Sequence, residues 1–221
     1  YFNGAAYSTN YFLSILSSFP GYLGNITWDY LIPTLGDLGV NAAKNMLLKR
    51  MVEFSGYPNL AIEGYPAEMG LFKSLIQGTG IYSKKNGKWQ FFSPENFSNK
   101  SDNFKLKNLW LDTTKLLKEN DFRSVNLKEI YDLWRSEPFG IKDGVMPILA
   151  VAYLLTNEAN VAFYREEIFQ SKITDLDIDY LTKDASDIKF RWMNLSELSR
   201  NLLSGLAEIV RSLDSENTLK D

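Results

Sequence analysis

Neither cysteine nor histidine occurs anywhere in the 221 residues. The first absence removes disulfides, thiolate nucleophiles and thiolate-ligated zinc or iron–sulfur clusters. The second removes Ser-His-Asp and Cys-His machinery, together with the commonest metal ligand and general base. Any catalysis would have to run on carboxylates, lysines, tyrosines or a carboxylate-bound metal. A G-x-x-x-x-G-K-[ST] loop is missing too; Gly140 and Gly144 flank Asp143 but do not make one, so no P-loop holds a nucleotide here. Long apolar runs are scarce. The longest, Val145–Leu155, has eleven residues, too few for a hydrocarbon layer of about 30 Å, and is expected to be a buried helix. The chain opens Tyr1-Phe2-Asn3, with neither a basic leader nor an initiator methionine, and so reads as a piece of a longer polypeptide. The Asn-x-Ser/Thr triplets at Asn25, Asn96, Asn99 and Asn194 have no secretory context. A reducing, cytoplasmic setting is the expectation, with no membrane and no cofactor in this fragment.

What is present is a foldable composition, 45% apolar and 14% aromatic, which argues against wholesale disorder. The net charge of −3 conceals a division. Residues 73–128 hold 11 basic and 5 acidic side chains, whereas residues 129–221 hold 10 and 17. A basic middle against an acidic C-terminal part suggests one electropositive face. The alternative is that these charges solvate two surfaces or pair with each other.

Residues 1–40, rich in Tyr, Phe, Gly, Ser and Asn and broken by Pro20-Gly21 and Pro33, form an irregular lead-in. A first helix is predicted over Ala42–Phe54, with Ala43, Met46, Leu47, Met51 and Phe54 inward, and a second over Pro66–Gln77 with Met69, Phe72, Leu75 and Ile76 inward. The clearest hairpin is Ile81–Lys85, Asn86-Gly87, Lys88–Phe92, because Asn-Gly suits a type I′ turn whose two central residues need positive φ. That register sets Lys85 opposite Lys88 and Lys84 opposite Trp89. Residues 93–103 read as a polar linker. Phe104–Lys118 is an amphipathic helix with Lys105, Lys107, Lys115 and Lys118 outward.

A second module opens with an Asn-led capping box, Asn126 with Glu129 three residues on, and Val125 and Ile130 in the staple positions. Its helix stops before Pro138. Asp143 is expected to cap the apolar helix, and Val161–Phe169 to fold back as a hairpin with Arg165, Glu166 and Glu167 at its tip. Asp175–Leu181 reads as a short helix and Ile188–Met193, by alternation, as a strand. Leu195–Leu213 reads as a long amphipathic helix before a polar tail. The expected fold is mainly α with small β-hairpins (α+β): two tandem winged-helix-like modules, at 41–120 and 121–221.

The chemistry candidates are few. Asp175-x-Asp177-x-Asp179 resembles the start of a calcium loop, but its sixth and twelfth positions are Tyr180 and Ser186 rather than Gly and Glu. Carboxylates at a helix N-terminus explain the run better. Glu63 and Glu68 could pair around a turn, yet Glu68 is also an ordinary first-turn residue. The apolar helix offers only Tyr153 and aliphatics to base edges, so it cannot be a recognition helix.

Three stretches carry a family resemblance: Leu60–Tyr82 (LAIEGYPAEMGLFKSLIQGTGIY), Ile130–Leu155 (IYDLWRSEPFGIKDGVMPILAVAYLL) and Phe163–Glu208. They resemble a conserved region of very large, poorly characterised bacterial P-loop ATP-binding proteins, several of them linked to anti-phage defence or DNA processing. The resemblance implies that the ATPase core lies outside this chain; none of that family's motor motifs has a counterpart here. The expected function is then a non-catalytic regulatory or nucleic-acid-contacting region, binding double-stranded DNA through Lys84, Lys85, Lys88, Lys105, Lys107, Lys115 and Lys118. Other domains or subunits of the ATPase assembly would be its protein partners. A protein–protein scaffold, in which exposed aromatics of residues 1–40 dock onto another subunit and the basic face is incidental, is the alternative.

Overall fold

The computed structural model describes residues 37–96 and 106–194. Within them the protein is mixed α+β, six helices packed with two small antiparallel sheets. Helix α1 (Asp37–Glu53) begins earlier than the expected Ala42. It buries Ala43, Leu47, Leu48 and Met51. Met46, expected inward, is 44% exposed, because at 3.6 residues per turn it falls on the far side of that stripe, where Leu48 is the better-placed neighbour.

After α1 the backbone reverses hand. Asn59, Leu60 and Ala61 have φ of 51, 54 and 52°, a left-handed turn of three L-residues, each conformation costing about 1–2 kcal/mol. The turn is held from three sides. Leu60 is fully buried, Arg50 donates to the Ala61 carbonyl at 3.2 Å, and Lys73 and Gln77 both donate to Asn59 Oδ1 at 3.4 Å.

Helix α2 (Ala67–Leu71) runs on as a wider π-helical turn over Phe72–Gln77. All four residues expected inward, Met69, Phe72, Leu75 and Ile76, are buried. The π turn closes with the Gly78 N–H on the Lys73 carbonyl at 2.7 Å. A Cβ at Gly78 would lie 2.7 Å from that oxygen, so only glycine fits without a shift.

The first sheet is the expected hairpin, β1 (Tyr82–Lys85) and β2 (Lys88–Phe91). Its root is anchored by Tyr82, fully buried, whose hydroxyl donates to the Tyr57 carbonyl and accepts from the Gly56 N–H.

Helix α3 (Leu106–Glu119) buries Leu106, Leu109, Trp110 and Leu117. Threonines of α3 and of the later helix Met146–Thr156 take up the polar atoms of Trp110, Trp134 and Tyr153. Trp134 Nε1 donates to Thr113 at 2.7 Å and Trp110 Nε1 to Thr156 at 3.0 Å. The Thr114 hydroxyl donates to Glu95 at 2.6 Å, which leaves the Tyr153 hydroxyl to donate to Thr114 at 2.8 Å. Burial pushes the Tyr153 phenol well above its ordinary range.

Strand β3 (Val125–Asn126) leads into α4 (Leu127–Arg135) through the full capping box: the Asn126 side chain accepts from the helix backbone and Glu129 from the Asn126 N–H. Helix α5 (Met146–Thr156) is buried at every residue from Met146 to Leu154. Asp143 does not cap it. The N-cap position is Val145, which makes no side-chain bond, and Asp143 pairs instead with Arg135 at 2.9 Å. Arg135, the last residue of α4, holds the Asp143 carboxylate through Nε and Nη2 in place of a backbone donor.

The second sheet has the order β3-β6-β4-β5, all antiparallel, from β4 (Val161–Arg165), β5 (Ile168–Gln170) and β6 (Ile188–Trp192). Between β5 and β6 lies α6 (Asp175–Lys183), started by a second capping box from Thr174 and Asp177. The buried residues form one continuous cluster from Leu47 to Phe190, with members on both sides of the segment 118–124 but none within it. Among the described residues no helix is long and apolar enough to cross a membrane. Lys105, the lead-in through residue 36 and the expected helix Leu195–Leu213 lie outside the described residues.

Candidate nucleic-acid interface

The β1–β2 hairpin presents its lysines as the register requires. Asn86 and Gly87 have φ of 52 and 82°, and the pairs are Lys85 with Lys88 and Lys84 with Trp89. Alternation along a strand then sorts the three lysines onto two faces. Lys84 follows Tyr82 on the face toward the core, beyond the reach of burial, while Lys85 and Lys88 share the outer face with Ser83 and Gln90. All three are exposed. None has a carboxylate partner among the described residues; Lys85 Nζ rests 5.5 Å from the Phe92 ring centroid. A like-charge pair set directly opposite costs about 0.2–1 kcal/mol.

The helix lysines form a second group. On α3, Lys107 is half-buried and Lys115 and Lys118 are exposed. Lys115 pairs with Glu119 at 3.9 Å. Lys118 Nζ lies 4.6 Å from the centroid of the Trp192 ring on β6, a cation–π contact of about 0.5–1 kcal/mol at an exposed site. The two groups have different neighbours: the hairpin packs on the π-helical turn and α5, and α3 packs on β6, α4 and the turn at Pro94–Asn96.

The second hairpin has the opposite character. Glu166 and Glu167 occupy its two-residue loop at φ of 48 and 65°. Each is compensated: Tyr180 donates to Glu166 at 2.6 Å, and Glu167 is paired with Lys189. Beneath them Arg165 meets Asp177 at 2.6 Å, with Asp177 fully buried and also accepting from the Thr174 N–H and hydroxyl.

The other acidic candidates disperse. Asp175 pairs with Lys49 at 2.7 Å, Asp177 with Arg165 and Asp179 with Lys183 at 3.3 Å, so each carboxylate of the DxDxD run points to a different cation. Among the described residues no three metal-ligating side chains converge. Glu63 and Glu68 enter no ion pair among the described residues.

Two features had no marker in the sequence. Phe122, in the loop between α3 and β3, is 75% exposed. Beside it, Arg123 forms a two-point pair with Glu129 at 2.9 and 2.8 Å and holds that carboxyl below its usual range, the bond from Arg123 being the main cause. An aromatic in a polar loop gives no periodic signal, so its exposure emerges only from the tertiary structure. Comparisons with protein-family models, with curated proteins and with solved structures return no match. The surface has to be read from its own geometry.

Proposed function

We propose that this chain is a non-catalytic, nucleic-acid-contacting region of a larger bacterial P-loop ATPase of the defence or DNA-processing type, and that the β1–β2 tip is its contact with duplex DNA. The observation that supports this most is the tip itself: Lys84, Lys85 and Lys88 crowd a two-residue turn without a carboxylate between them. Such a surface attracts phosphates and releases counterions without reading sequence. The attachment to an ATPase rests on the resemblance of the three stretches described above.

A winged-helix-like reading of both segments belongs to the same proposal. In the first, α1 and α2 precede the β1–β2 hairpin. In the second, α3, β3, α4 and α5 precede β4 and β6, with β3, β6 and β4 adjacent in the sheet. That is the order of helices and strands in a winged helix, with β5 and α6 inserted in the wing. Because α5 is buried along its length, DNA contact falls to the wings and not to a helix in the groove.

The test is binding of labelled duplex DNA across a salt series. The parent should bind with log K falling linearly in log salt. Lys84→Ala/Lys85→Ala/Lys88→Ala should weaken binding about equally for all sequences and flatten the slope by about 2–3, with unchanged melting. A parent that does not bind at low salt overturns the proposal. The second reading is a protein–protein scaffold. It draws on Ile168 and Phe169, 65% and 58% exposed on the edge strand β5, where an unpaired strand edge invites a partner.

A further inference from the structure

Where α3 ends against β6, two segments far apart in sequence meet, with Lys118 and Phe122 on one and Arg191 and Trp192 on the other. Lys118, in the last turn of α3, lies over the Trp192 ring. The neighbouring Arg191 donates from Nε to the Asp121 carbonyl at 3.2 Å, one residue before the exposed Phe122. The loop is tied down within itself as well, the Asn120 N–H on the Leu117 carbonyl at 3.2 Å and the Arg123 N–H on the Asn120 carbonyl at 3.0 Å. Phe122 is therefore an apolar ring held out to solvent on a pinned loop. That is an odd place for a ring that could have been buried.

On α3 the lysines run in single file toward this loop, while Arg191, which alternates with Trp192 along β6, reaches the loop from the opposite face of the strand. Lys107, Leu111 and Lys118 fall within about 40° of one another on the α3 surface at 3.6 residues per turn, and Leu111 is 42% exposed. Asp112 and Glu119 lie about 80–100° further round, off the file. Among the described residues neither Lys118 nor Arg191 has a carboxylate partner, and Arg191 is held only through its Nε. Cations flanking a fixed aromatic suit one row of phosphates with unpaired bases. In a duplex the base faces are already stacked on one another; in a single strand they are free to stack on a side chain.

We propose that this corner is a binding site for single-stranded nucleic acid, with Phe122 as the stacking platform and Lys118 and Arg191 as phosphate contacts. Trp192 positions Lys118 beside the platform and keeps its flexible stem from wandering. The proposal rests on the reading of the chain as a nucleic-acid-contacting region, but uses a different surface from the hairpin tip.

The two are separable by experiment. Fluorescence anisotropy with labelled oligo(dT) and with a duplex of equal length should be run on the whole chain and on Phe122→Ala and Lys118→Ala. Phe122→Ala should weaken oligo(dT) binding roughly 5- to 150-fold, the range for one lost base–aromatic stack, with no change in salt slope, in duplex affinity or in melting temperature. Lys118→Ala should reduce the oligo(dT) salt slope by about 0.7. A parent that binds duplex but not oligo(dT) overturns this site and leaves the hairpin tip standing. So does a Phe122→Ala protein that binds oligo(dT) like the parent, or that loses both probes equally. Failure to bind either probe at low salt overturns both proposals.

Discussion

The two hairpins share a blueprint and differ in how their tips are settled. Both close with two residues in the left-handed region, and both put a basic residue before the loop, Lys85 in one and Arg165 in the other. In β4–β5 every charge at the tip has an answer inside the protein: Arg165 on Asp177, Glu167 on Lys189, Glu166 on Tyr180. In β1–β2 the turn residues suit the geometry and the charges are left open. The acidic hairpin tolerates an unfavourable turn because its side chains are anchored. The basic hairpin has a favourable turn and lysines with no carboxylate partner among the described residues, Lys85 resting near the Phe92 ring. Unanswered charge on a sound backbone is what the proposed duplex contact requires; answered charge on a strained backbone marks a structural joint.

The largest test of that contrast is Arg165→Leu. It strands the fully buried Asp177 carboxylate and should lower stability by about 3–5 kcal/mol, read from the denaturant midpoint. A cost under about 1 kcal/mol would mean that the acidic hairpin is no joint. Exchanging residues at the second loop position gives a smaller effect of opposite sign in the two turns. Gly87→Ala, at φ of 82° with open space around the new Cβ, should cost about 1–2 kcal/mol. Glu167→Gly should recover about 1 kcal/mol of backbone strain, offset in part by the lost exposed pair with Lys189, worth about 0–1 kcal/mol. Thermal melts of both variants check the pair of signs. The smallest change is Lys85→Glu, which turns the like-charged cross-strand pair with Lys88 into an attractive one. It should stabilise by about 0.2–1 kcal/mol while weakening duplex binding, a combination that a merely solvated tip would not produce.

The legible parts of this chain are those whose cause is local. Asn86-Gly87 dictates its own turn, and Asn126 with Glu129 writes its own helix start. The apolar run read as Val145–Leu155 became α5 with its boundaries moved by one residue. Asp143 failed because the choice between capping α5 and pairing with Arg135 depends on where α4 ends. The left-handed turn at Asn59–Ala61 was invisible for a different reason: it contains no glycine, and its support comes from Arg50, Lys73 and Gln77 on other elements. Of the candidate site, the tip lysines were readable because a turn signal flanks them. The contact of Lys118 with Trp192 was not, since a strand and a helix 74 positions apart meet there.

The interleaving of β6 between β3 and β4 also has a consequence in time. The β1–β2 hairpin pairs neighbours only and can close as soon as Phe91 has left the ribosome. Val125, by contrast, must wait for Phe190, 65 positions later, and pairings of such sequence separation form slowly because the loop entropy is lost before any contact rewards it. During synthesis at about 5–20 residues per second, β3 and the apolar α5 stand without their sheet for several seconds. The four-stranded sheet is therefore completed late, whereas both strands of the basic hairpin emerge together and wait only for α5 to pack on them.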